Sequence, residues 1–63
     1  MKISEMNKED LVNYMRASRE MNTYKSSSAA WQRAFELARK NGLEGVEMDC
    51  TGCVKKVSEW LKR

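Results

Sequence analysis

Apolar and polar residues alternate along this chain with the period of an α-helix in three separate stretches. The clearest runs from Ser28 to Asn41, where Ala30, Trp31, Ala34, Phe35 and Ala38 recur at helical spacing and Leu37 widens the stripe on one flank. Ser26, Ser27 and Ser28 offer a side-chain oxygen to the free amides of a first turn. Asn41-Gly42 supplies a stop, because glycine enters the left-handed conformation without a steric cost. Arg39 and Lys40 fall in the last turn, where the helix dipole favours positive charge. These signals predict a helix over 28–41.

Upstream, Asn7 reads as an N-cap with Glu9 and Asp10 in the first turn, and Met6 and Leu11 have the spacing of a hydrophobic staple. Leu11, Met15 and Ser18 align, with Tyr14 and Met21 on one flank and Val12 on the other. The pattern predicts a helix over 8–21, weaker than the central one because Ser18 sits mid-stripe. Residues 1–6 read as a short, poorly fixed leader from which Ile3 and Met6 could pack down. Residues 22–27 form a polar connector without Gly or Pro, from which Tyr24 is placed to pack across the helix junction.

Cys53, Val54, Val57, Trp60 and Leu61 make the third stripe, predicting a helix over 52–62 capped by Thr51 or Asp49. Residues 42–50 lack helical periodicity. With no second segment to pair as a strand, they are expected to form an ordered loop that plugs Leu43 and Val46 into the bundle. The whole is an all-α reading: one small three-helix bundle over residues 1–63, its core carried by Trp31, Phe35 and Trp60.

Size sharpens this picture. A chain of 63 residues makes one domain and buries only ~60% of the surface its unfolded form exposes, so marginal stability is expected without a disulfide, metal or partner chain. Two Cys and no His leave few such devices. No apolar run is long enough to span a bilayer, and the first ten residues lack the apolar core of a signal peptide, which predicts a cytoplasmic, reducing location. Five Met and two Trp supply adaptable and anchoring side chains.

One short motif carries chemistry. Cys50-Thr51-Gly52-Cys53 is a C-x-x-C pair at the start of the third helix, where the dipole and free amides favour a thiolate. The run Val46 to Val57, with Met48, Cys50 and Cys53, resembles the M-x-C-x-x-C signature of heavy-metal-associated copper-chaperone domains. That resemblance covers about twelve residues of the 63, and implies a soft ion held by Cys50 and Cys53. The family places its motif early, after a first strand of a βαββαβ sheet, whereas here it lies ten residues from Arg63 behind two helical stretches. Zinc prefers four Cys or His ligands, so a zinc site on Cys50 and Cys53 would need two chains, each giving two thiols. Redox chemistry of the thioredoxin type belongs to a βαβ scaffold that the periodicity does not predict. A structural reading stands beside these: Cys53 as a small buried apolar residue and Cys50 as a semi-exposed loop residue.

An enzyme is not expected. Without His, the usual activation of a nucleophilic cysteine is missing, and no carboxylate pair or phosphate-cradling glycine loop is present. No cofactor is expected beyond zinc in a dimer.

Charge adds a further alternative. The net charge of +3 is unevenly spread: residues 11–41 carry six bases against two acids, 42–54 three acids and no base, and 55–63 four bases against Glu59. Solvated helix surfaces account for most such patterns. Arg33, Arg39 and Lys40 on the second helix, with Lys55 and Lys56 on the third, would form the basic face of a DNA-binding module. The connector at 42–50 is longer than the turn of a helix-turn-helix. The principal expectation is a small non-enzymatic interaction protein, of the kind encoded by bacteriophages and mobile elements, acting through a helical surface on a partner protein or on a second copy of itself.

Overall fold

The computed structural model describes residues 2–63, in which three helices pack around one hydrophobic cluster and no residue among those described is in a strand. The all-α expectation is met. The radius of gyration is 10.4 Å, against about 10.6 Å for a folded chain of this length.

The central helix, Ala29–Lys40 (α2), is the element against which the others pack. Ala30, Trp31, Ala34, Phe35 and Ala38 are buried along one side, the three alanines letting neighbours approach its backbone. Its ends close as the sequence suggests. Ser28 Oγ accepts from the Trp31 amide at 3.3 Å. Beyond the C-cap Asn41, Gly42 takes φ 101°; its amide donates to Arg39 O at 3.4 Å, and that of Leu43 to Ala38 O at 3.0 Å. This pair of bonds is a Schellman motif, and it satisfies carbonyls that the helix leaves free.

Lys8–Ala17 (α1) opens with Asn7, whose Oδ1 accepts the Asp10 amide at 2.8 Å, and buries Leu11, Val12 and Met15. Thr51–Leu61 (α3) buries Cys53, Val57, Trp60 and Leu61. Its N-cap is Cys50, not Thr51 or Asp49, and no side chain closes that cap.

The first helix ends four residues short of the predicted 21. Arg19 turns left-handed at φ 63°, and Glu20–Asn22 form a 3₁₀ turn. This turn meets the core. The Trp31 indole N–H, buried with its ring, is placed to donate to Glu20 O at 3.0 Å and Thr23 O at 3.1 Å. The left-handed turn at Arg19 carries the chain so that these two carbonyls meet the indole. Glu20 also accepts from the hydroxyls of Ser18 and Ser28, tying the connector to the start of α2. Ser18, central in the predicted stripe, is therefore an exposed C-cap.

In the leader, of which Met1 lies outside the described residues, Ile3 and Met6 do pack down. Ile3–Glu5 form a 3₁₀ turn, Met6 is buried, and Arg33 on α2 donates to the Met6 carbonyl through Nε at 3.1 Å and Nη2 at 2.9 Å.

The loop at 42–50 is ordered, as its composition predicts. Val46 is buried, with Leu43 and Met48 packed behind it. Arg39 Nη1 donates to Val46 O at 3.2 Å, and the Tyr24 hydroxyl to Met48 O at 2.6 Å. Tyr24 meets the Trp31 ring edge-on, their centroids 5.3 Å apart, so the connector, α2 and the loop share one aromatic junction. Trp31 is 1% exposed; removing such a ring typically costs ~3–5 kcal/mol. No helix among the described residues is long and apolar enough to cross a membrane.

Candidate functional site

The structure brings the two cysteines into one helical turn and engages three of the five basic residues in contacts within the protein. Cys50 is exposed at the N-cap of α3 and Cys53 lies buried one turn on, both as free thiols. The Cys53 amide donates to Cys50 O at 3.1 Å, and the Cys53 thiol faces Gly45 O at 3.9 Å. The pair is electrically unequal. The neighbouring Cys53 side chain holds Cys50 below the ordinary thiol range, helped by the amides of Cys53 and Gly52 and by the charge of Lys56. The same contact pushes Cys53 up, since a thiol bonded to its neighbour gives up its proton less readily.

As metal ligands these two thiols stand alone in the chain. Among the described residues no group of three or more His, Cys, Asp or Glu converges on one point. A tetrahedral zinc would thus require a second chain to supply the remaining donors. The likeness to copper-chaperone domains ends at the motif: Met48 is half-buried and its carbonyl takes the Tyr24 hydroxyl, in a helical fold rather than a βαββαβ sheet.

Of the residues assigned to a DNA-binding face, Arg33 is held by Met6 O and by Glu36, Arg39 by Val46 O, and Lys40 by Glu36 at 3.3 Å. These contacts fix the guanidinium groups on protein carbonyls. Lys55 and Lys56 remain, exposed on α3.

A different basic surface emerges where α1 meets the end of α3. Lys8, Arg16, Lys62 and Arg63 line an open groove of about 390 Å³ together with Glu9, Asn13, Val12 and Leu61. Val12 and Leu61, core residues with little exposed surface, lie at its base. Lys8 is pinned in place: its ammonium lies 4.5 Å from the centre of the Trp60 ring and donates to Arg63 O at 3.3 Å. Arg16, Lys62 and Arg63 are exposed around the rim.

This groove escaped the sequence reading because its walls lie more than forty residues apart. The signal available was the run of four bases against one acid over 55–63, joined to the regular spacing of Lys8, Val12 and Arg16, which puts one turn of helix between each. Comparison of the chain with family models, with curated proteins and with solved structures finds no match.

Proposed function

We propose that this chain is a small non-enzymatic binding protein, and that its α1–α3 groove receives an acidic, amphipathic segment of a partner protein. One observation supports the reading above the others. Four cationic side chains, Lys8, Arg16, Lys62 and Arg63, line the groove with one opposing carboxylate, Glu9. A helical segment laid in such a groove sets its carboxylates against the cationic rim, above the core edge at Val12 and Leu61. Charge complementarity of this kind governs encounter rate and choice of partner more than affinity.

The DNA-binding alternative has less support, because Arg33, Arg39 and Lys40 are engaged by internal partners. Zinc-linked dimerisation through Cys50 and Cys53 has less support, because among the described residues no group of three or more His, Cys, Asp or Glu is placed to hold a metal.

The test uses a fluorescein-labelled helical peptide of alternating Leu and Glu faces, with a Leu/Lys peptide as control. The acidic peptide is expected to bind, with affinity falling as salt rises. Arg16→Glu with Lys62→Glu should weaken it at least about tenfold, a change of roughly 1.4 kcal/mol. Equal binding of both peptides, or no effect of the double reversal, would remove the groove from the account.

A further inference from the structure

We propose that Cys50 and Cys53 form a reversible thiol–disulfide pair, in which Cys50 attacks a small-molecule disulfide and Cys53 resolves the mixed disulfide. The site lies at the loop end of α3, apart from the groove at its other end, and the inference does not rest on the groove.

Three observations carry it. The first is access: Cys50 is exposed while Cys53 is buried behind it, so an incoming disulfide meets one sulfur before the other. Gly52 between them leaves open space, with no heavy atom within 4 Å of where a Cβ would stand. The second is distance. The 3.1 Å bond from the Cys53 amide to Cys50 O closes a single turn. Such a turn holds its end Cα atoms within about 7 Å, close to the ~4.4–6.8 Å that disulfides span. The third is division of labour. The adjacent Cys53 side chain, the first-turn amides and Lys56 favour charge on Cys50, whereas Cys53, its thiol directed at Gly45 O, keeps its proton more readily.

The chemistry balances without any further reagent. The Cys50 thiolate displaces one thiolate from the small-molecule disulfide and forms a mixed disulfide at its Sγ. Cys53 then loses its proton to solvent and attacks Cys50 Sγ, releasing the second thiolate. Two protein thiols are oxidised to one disulfide, and one external disulfide is reduced to two thiols. The product lacks the Cys53 thiol that faces Gly45 O, so the loop loses that contact on oxidation.

Oxidised glutathione is the probe, added to the reduced full chain, with intact-mass spectrometry as readout. The wild type should end as a monomer two hydrogens lighter, with no retained adduct. Cys53→Ser, or Cys53→Ala where the serine proves unstable, should retain one glutathionyl group on Cys50. Cys50→Ser should react at least about tenfold more slowly, its buried thiol lacking the favoured thiolate. Circular dichroism confirms that each variant is folded. Equal adduct rates at Cys50 and Cys53, a disulfide only between two chains, or a wild type that retains glutathione at Cys50 would each overturn the proposal.

Discussion

Arg33 grips the backbone carbonyl of Met6 with two donors, Nε at 3.1 Å and Nη2 at 2.9 Å. A guanidinium fork on one carbonyl fastens the segment at Met6 to the middle of α2 and gives Arg33 a structural role. Hydrogen bonds to charged groups contribute roughly 1.5–3 kcal/mol. Arg33→Ala should therefore lower unfolding stability by about that much in urea. Arg33→Lys should recover less than half, because a single ammonium cannot reproduce the fork.

Trp31 shows a second such dependence. Its indole N–H lies within reach of the carbonyls of Glu20 and Thr23, which shape the connector after α1. Trp31→Phe keeps an aromatic ring but leaves those acceptors without their donor, at a cost of about 1–3 kcal/mol. Hydrogen exchange should localise the effect: the amides of Asn22 and Thr23, bonded to Arg19 O and Glu20 O in the 3₁₀ turn, should exchange faster than those of α2. Uniform acceleration across the chain would argue that the indole bond does not hold the connector.

These two residues also mark where the sequence is legible and where it is not. Period, caps and stops sit within a few residues of one another, so α2, its Ser28 cap and its Gly42 stop can be read directly. The loop at 42–50 and the buried Val46 are readable too, because apolar residues without helical spacing must still leave water. The end of α1 is not. The connector that follows it is tied to Trp31, eleven residues downstream of Glu20, while Met21 keeps the helical phase and so disguises the break. Arg33 and Arg39 look like solvated charge because nothing local announces the carbonyls of Met6 and Val46. The thiol pair is visible as C-x-x-C, but its inequality depends on which sulfur the fold buries. The groove assembles from opposite ends of the chain and has no local signature.

Two glycines should respond in opposite directions to the same change. Gly42 has φ 101°, which an L side chain rarely adopts, so Gly42→Ala should destabilise by about 1–2 kcal/mol. Gly52 sits in the first turn of α3 with open space around it. Gly52→Ala should stabilise by roughly 0.5–1 kcal/mol through helix propensity. Thermal melts of both variants against the wild type decide the matter.

The Glu36 carboxylate is held below its usual range, first by the hydrogen bond from Lys40 and by the charges of Lys40 and Arg33. A depressed folded-state value means that its contribution is present above the unfolded value of 4.5 and is lost as pH falls through the folded one. Glu36→Gln should thus melt slightly below wild type at about pH 7 and equal to it at about pH 2. Because Glu36 is exposed, the gap should be small and should close in high salt. A gap that widens in acid would contradict the assignment.

The central claim is that the α1–α3 groove is the binding surface, and an NMR titration of the ¹⁵N-labelled protein with the acidic Leu/Glu peptide tests it most directly. The predicted result is a saturable set of shifts at Lys8, Val12, Asn13, Arg16 and Leu61 to Arg63, abolished by reversing Arg16 and Lys62. The contradicting result is a silent groove, with shifts centred on Lys55 and Lys56 when duplex DNA replaces the peptide, or with concentration-dependent shifts in the protein alone that reveal a second copy as the occupant.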